Sequence, residues 1–304
     1  MELFINTHYD FVNKKNYFII ASVVIILIGF GAYFALGGLN YGIDFKGGTL
    51  VQVKFNKSVT AEELRQSLSS KNLGSYTIQQ YGPVERNEKL IRLPVAIETE
   101  VEKMPSVIIE EALKEIHGDD FSIERVESVG PAIGEELKRS ALGSMLVALA
   151  LMLIYIAFRF DLSFGAGAVI ALVHDVLFTL TAFVLTQREI NLPVIAALLT
   201  IVGYSVNDTI VVYDRIRENI RLMSREKFPD IVNTSINQTL SRTILTSGTT
   251  LLVVISLFFF GGEVINDFAF ALLIGISVGT YSSIFIAAPV VLAWRGQKTV
   301  KKTA

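Results

Sequence analysis

The chain contains no cysteine among its 304 residues, which excludes disulfide frameworks, thiolate metal sites and thiol redox chemistry. Only three histidines are present, and none has the His/Glu spacing of a zinc site. No GxxxxGK(S/T), GxGxxG or HExxH pattern occurs, so nucleotide-driven transport and zinc-hydrolase chemistry of the HExxH kind lack support. Charge is scarce as well. Charged residues make up 18%, against about 25% in an ordinary soluble domain. The net charge of −2 excludes a broadly cationic nucleic-acid binder. No cofactor, metal or catalytic group is expected.

Apolar residues fill the place of the missing charge, at 51% of the chain. A helix needs about 20 mostly apolar residues to cross a bilayer core. Six stretches are long enough: Tyr17–Leu36, Ala141–Phe158, Leu162–Thr186, Leu192–Tyr213, Thr243–Phe260 and Asn266–Trp294. The first has Lys14 and Lys15 before it and Ala35-Leu36-Gly37 at its end, like a signal peptide. Its apolar run exceeds the 7–15 residues of a signal core, so it reads as an uncleaved anchor.

Orientation follows from the short loops. Residues 214–242 carry Arg215, Arg217, Arg221, Arg225, Lys227 and Arg242. The tail carries Arg295, Lys298, Lys301 and Lys302, and the 159–161 turn carries Arg159. The opposite loops hold only Arg188 (187–191) and no base (261–265). Residues 1–16 and 295–304 are therefore expected in the cytoplasm, with helix 1 over 17–36 and helices 2–6 within 139–294. Residues 37–138 are expected outside, since long segments cross regardless of charge.

That outer segment reads as a compact domain. Val51, Val53 and Phe55 alternate with Gln52 and Lys54, the period of a half-buried strand. Thr60 and Glu63 form a capping box, and Val59 can staple onto Leu64. Strands at Tyr76–Tyr81 and Lys89–Leu93 follow. A helix then sets Ile109, Ala112, Leu113 and Ile116 on one face, and a last strand runs Phe121–Val129. The order βαββαβ is that of the ferredoxin-like split βαβ motif. The fold class is thus a polytopic α-helical membrane protein of six spans, with a small α+β extracytoplasmic domain between helices 1 and 2.

Two charges lie within stretches otherwise suited to lipid: Asp208, and Arg242 about one turn into its apolar segment. Each costs roughly 2.5–3.5 kcal/mol at membrane depth, so such residues mark ion pathways by default. Low dielectric favours a neutral acid and a nearby guanidinium favours its carboxylate, so an acid poised between them can load and release a proton. Arg242 stays charged and would serve as a switchable partner; a static ion pair, or an arginine snorkelling to the interface, is the plainer alternative. His174 and Asp175, mid-span, could extend a proton path or could be a packing device. Asn207, Ser205 and Thr209 could hydrogen-bond to Asp208 or glue helices together. Gly42, Asp44, Gly47 and Gly48 shape either a hinge or a plain turn at the base of the outer domain. Gly165 with Gly167, and Gly275 with Gly279, permit close helix packing, as against a partner subunit, and carry no chemistry.

Several segments resemble the SecF family, the smaller of two membrane subunits that assist bacterial protein export. They are Tyr41-Gly-Ile-Asp-Phe-Lys-Gly-Gly48, Ser128-Val-Gly-Pro-Ala-Ile-Gly134, Phe158-Arg-Phe-Asp161 and His174-Asp175. Val202-Gly-Tyr-Ser-Val-Asn-Asp-Thr209, Asp214-Arg-Ile-Arg-Glu-Asn219, Leu240-Ser-Arg-Thr-Ile244 and Thr246-Ser-Gly-Thr-Thr250 complete the set. The resemblance implies an RND-type half-unit in the bacterial inner membrane, paired with SecD as a heterodimer. It also implies work beside the SecYEG channel and YajC on an exported polypeptide, driven by the proton-motive force. Asp208 and Arg242 fall on the family's proton-coupling positions.

Other readings stay open at this point. One is an RND-type half-transporter for a small or lipidic molecule, and another is a scaffold without coupling. An intramembrane aspartyl protease is the third: Tyr213-Asp214 mimics half of its site, but the Gly-x-Gly-Asp element is absent and two carboxylates must share one site.

Overall fold

The computed structural model describes residues 7–69, 73, 76–93 and 105–301. In chain order the elements are α1 (Lys15–Ala35), α2 (Ile43–Lys46), β1 (Gly48–Phe55), α3 (Ala61–Ser69), β2 (Thr77–Tyr81), β3 (Glu88–Leu93), α4 (Pro105–His117) and β4 (Phe121–Val129). Then come α5 (Pro131–Arg159), α6 (Leu162–Thr186), α7 (Leu192–Leu222), α8 (Phe228–Phe260), α9 (Glu263–Ser282), a π-helical turn (Ser283–Ala287) and α10 (Ala288–Lys301). Packing divides the chain into Tyr41–Gly143 and, as a second unit, Met1–Asn40 with Ser144–Ala304.

In the smaller unit an antiparallel sheet takes the order β2-β3-β1-β4. β3 lies between β1 and β2, the insertion that defines a split βαβ unit. Val51, Val53 and Phe55 point from β1 into a core closed by Ile91 and Leu93 of β3, Leu64 and Leu68 of α3, and Ile109, Ala112 and Leu113 of α4. The capping box is formed: the Glu63 N–H donates to Thr60 Oγ1 at 3.2 Å, and the Thr60 N–H donates to Glu63 Oε2 at 2.7 Å. Ile116 departs from its expected place, being 58% exposed. In that last turn it is the His117 ring, 5.4 Å from Phe55, that lies against the sheet.

Among the described residues six helices are long and apolar enough to cross a membrane: Lys15–Ala35, Pro131–Ile156, Leu162–Thr186, Leu192–Leu222, Phe228–Phe260 and Val264–Arg295. Together with the small sheet domain between the first and second, this is the expected fold class. The helices outrun the apolar stretches. α8 starts at Phe228, where Pro229 occupies a first-turn position that needs no N–H, and not near Thr243. Hydropathy marks only the part fit for lipid, while backbone hydrogen bonding carries the helix further. Arg242 is accordingly mid-helix.

The core of the larger unit is built from α6, α7 and α9, while α1, α5 and α8 leave most of their surface uncovered. Small residues let the central helices close. A Cβ on Gly275 would meet Ile201, one on Gly279 would lie 3.0 Å from Ser205 Cβ, and Gly167 abuts Tyr213 and the Ala287 carbonyl. These glycines thus serve packing inside the chain rather than against a partner. The N-terminal segment is held by two side chains one turn apart on α8. Asn237 exchanges hydrogen bonds with the Tyr9 N–H and C=O, both at 2.8 Å. Asn233 donates to Tyr9 O at 3.0 Å and accepts from the N–H groups of Phe11 and Val12. Phe18 stacks on Phe285 of the π turn at 3.9 Å, with Phe11 edge-on at 5.9 Å.

Candidate functional site

α7 and α8 run antiparallel across a turn at residues 223–227, so each level of one faces a level of the other. Asn219 meets Ser235, Asp208 meets Ser247 and Tyr204 meets Thr250. At the middle level Asp208 is 3% exposed. Ser247 Oγ donates to its Oδ2 at 3.2 Å, and Thr280 Oγ1 of α9 donates to Ser247 Oγ at 2.7 Å. Tyr204 OH borders the same group, 3.3 Å from Thr250 Oγ1. A carboxyl group thus sits among neutral hydroxyls drawn from three helices. Such an environment can hold either protonation state, since a hydroxyl donates to a carboxylate and accepts from a carboxylic acid.

The helix register sets Arg242 level with Val212 and Tyr213. That is about one turn, roughly 6 Å, nearer the connecting turn than Asp208. Arg242 is exposed in the single chain, and no acid among the described residues lies within 4.0 Å of it. It stays within electrostatic range of Asp208. Beside it on α8, Thr246 and Thr249 are also exposed, as are Gly203 and Asn207 on α7. Asn207 therefore faces away from Asp208, because adjacent residues of a helix do not share a face.

Asp175 is fully buried and gathers three partners. Ser205 Oγ and Ser282 Oγ donate to its Oδ2 at 2.5 and 2.8 Å, and His174 Nδ1 lies 2.9 Å from its Oδ1. Ser205 belongs to this group and not to Asp208. His174 Nε2 is buried without a hydrogen-bond partner among the described residues, with the Tyr281 ring 6.0 Å away. The two acids are thus tied to adjacent parts of α9, one through Thr280 and the other through Ser282. Thr209 is buried beside them. Ser247, Thr280, Ser282 and Tyr204 were not singled out from the sequence. Ser247 could have been, as it belongs to the Thr246–Thr250 run of hydroxyl residues on the helix that carries Arg242.

At the base of the sheet domain, Gly47 (φ +74°) ends α2 and Gly48 (φ +129°) opens β1, conformations that other residues resist. Gly42 has an ordinary φ of −69°, a conformation that does not itself call for glycine. A Cβ on Gly134 would lie 3.2 Å from Gly47 N and 3.3 Å from Phe45 O, so the first turn of α5 rests directly on this elbow. Asp44 lies within α2. Tyr213 and Asp214 diverge. The former is buried with its hydroxyl donating to Ala287 O at 3.2 Å, while the latter sits at the surface, 3.1 Å from Arg159. Among the described residues no group of three or more His, Cys, Asp or Glu is arranged to hold a metal.

The family model described as "Protein export membrane protein SecD/SecF, C-terminal" matches residues 108–297, and that of the "SecD/SecF GG Motif" matches residues 34–59. A protein translocase subunit SecF from Desulfurispirillum indicum is 48% identical over 291 residues, covering 94% of this chain and 91% of that one. A protein translocase subunit SecDF from Thermus thermophilus is 40% identical over 304 residues, of which this chain spans 40%. The crystal structure described as SecDF, a translocon-associated membrane protein, from the same organism superposes with a TM-score of 0.83 at 42% identity. That match covers 96% of this chain and 39% of the other.

Proposed function

Because the chain belongs to the SecD/SecF family of protein-export membrane proteins, we propose that it acts as the SecF-type auxiliary subunit of the Sec translocase, coupling proton flow to late steps of export. It is a multi-pass membrane protein and a transport component. The observation that carries the coupling is Asp208 itself: an acid at the centre of the helix bundle, held by Ser247 and within electrostatic reach of Arg242. In this reading the carboxyl alternates between the hydroxyl pair Ser247–Thr280 when protonated and Arg242 when ionised. One charge crossing the membrane releases about 2.3 kcal/mol per 100 mV, enough to shift a two-state equilibrium roughly fiftyfold. Asp175 and His174 form a second polar centre through which the path extends.

SecD is the partner. Arg242, Thr246, Thr249 and Asn207 are polar residues in spanning helices, uncovered in the single chain, and such residues turn toward protein or water rather than lipid. The fusion of two such halves in the Thermus thermophilus SecDF supports a pair. Both termini lie in the cytoplasm and residues 37–138 outside it, as the basic loops favour. Gly47 and Gly48 form a fixed elbow at the base of the outer domain, where exported polypeptide emerging from SecYEG, with YajC nearby, is engaged. The test is export in vesicles carrying this chain with SecD, under separately imposed proton and sodium gradients. Wild type responds to the proton gradient, and Asp208→Asn assembles but does not respond. Unchanged stimulation in that variant rejects the proposal.

A further inference from the structure

The end of α5 and the last turns of α7 enclose a cleft of about 380 Å³, lined by Arg159, Asp214, Arg217, Glu218, Arg221 and Leu222. Its arginines are held in place. The Arg159 and Arg217 guanidiniums flank the Phe160 ring at 5.2 and 5.4 Å, and Arg217 Nη1 donates to Arg159 O at 3.2 Å. The acids are already engaged. Asp214 is shared by Arg159 at 3.1 Å and Arg217 at 3.9 Å, and Glu218 takes Arg215 at 2.6 Å. Arg221 has no acid within 4.0 Å among the described residues. Positive charge is therefore in excess over the two carboxylates, and it is partly preorganised. The surroundings are apolar: Leu222 is 70% exposed, and Phe158, just before Arg159, is 90% exposed. The site thus stands where the lipid-fit surface of a spanning helix ends.

We propose that this cleft binds the phosphodiester headgroup of an anionic phospholipid. Guanidinium forks match phosphate oxygens in pairs, and bare hydrocarbon beside them suits an acyl chain. An acidic protein segment would meet the same arginines but would leave Phe158 and Leu222 without an apolar partner. The inference rests on the membrane reading alone and is independent of proton coupling at Asp208.

The test uses the full chain in detergent, titrated with phosphatidylglycerol, phosphatidylcholine or inorganic phosphate, and read by native mass spectrometry and melting temperature. Phosphatidylglycerol is expected to give a retained one-to-one adduct and a higher melting temperature, while the other two give neither. Arg221→Gln, which breaks no ion pair, should weaken the adduct about fivefold, the equivalent of about 1 kcal/mol for one basic group near an anionic surface, and Arg221→Lys should restore most of it. Arg217→Gln should weaken it further. Equal binding of phosphatidylcholine, equal stabilisation by inorganic phosphate, or an adduct indifferent to Arg221→Gln would each overturn the proposal.

Discussion

Ser247 Oγ donates to Asp208 Oδ2 at 3.2 Å across the α7–α8 packing, and Thr280 backs that hydroxyl from α9. The carboxyl therefore has an uncharged partner ready when the guanidinium is not in contact. Ser247→Ala is expected to lower gradient-driven export about three- to tenfold, the equivalent of roughly 1 kcal/mol for one hydrogen bond. Ser247→Thr should retain most activity, as read in the same vesicle assay.

Arg242→Gln separates folding from coupling. The side chain is exposed and has no acid within 4.0 Å among the described residues, so the variant should melt within about 0.5 kcal/mol of wild type. Export driven by the proton gradient should nonetheless be lost. A large fall in stability of the isolated chain would show that Arg242 is a structural tie instead.

Asp175, unlike Arg242, should also matter for stability. Asp175→Ala strands Ser205 in a buried setting and leaves Ser282 only the Gly279 carbonyl, at a cost of about 1–3 kcal/mol in denaturation in detergent. Asp175→Asn should cost less, because an amide oxygen still accepts one hydroxyl. Gly279→Leu should also destabilise, since its side chain would have to displace Ser205.

The clamp on the N-terminal segment predicts a local effect. Asn237→Ala removes both of its hydrogen bonds to Tyr9, so amide exchange over residues 9–12 should quicken roughly five- to tenfold. Exchange in the centre of α7 should not change.

The small sheet domain carries a pH dependence of known sign. The Thr60 N–H, and then its hydroxyl, hold the Glu63 carboxyl below its ordinary range. A carboxyl lowered by folding contributes stability above its unfolded value and loses it as pH falls through the folded value. Thr60→Ala should therefore lower the melting temperature at neutral pH, with the difference shrinking in acid once Glu63 is protonated.

Much of the architecture was readable in the sequence because its causes are local. Alternation fixed β1, the Thr60–Glu63 spacing fixed the start of α3, and apolar length marked the spans. Asp208 and Arg242 stood out because charge in lipid is costly. The partners that surround Asp208 did not stand out, for a physical reason. Hydroxyls inside apolar helices usually satisfy themselves on the carbonyl four residues back, as Thr246 does on Arg242 O. Only the helix register shows that Ser247 and Ser282 reach across to acids, Ser282 while also meeting the Gly279 carbonyl. Asn207 adjoins Asp208 in sequence but lies on an exposed flank of α7, since neighbours along a helix do not share a face.

The π turn at Ser283–Ala287 holds one residue more than an α-helical path of the same rise. Each residue of a regular helix turns the chain by about 100°. Deleting a single residue there would swing Val291, now fully buried, out of the interior and bring a neighbouring flank round in its stead. The last span thus carries a built-in phase offset, and everything after Ala287 depends on it for the direction it faces.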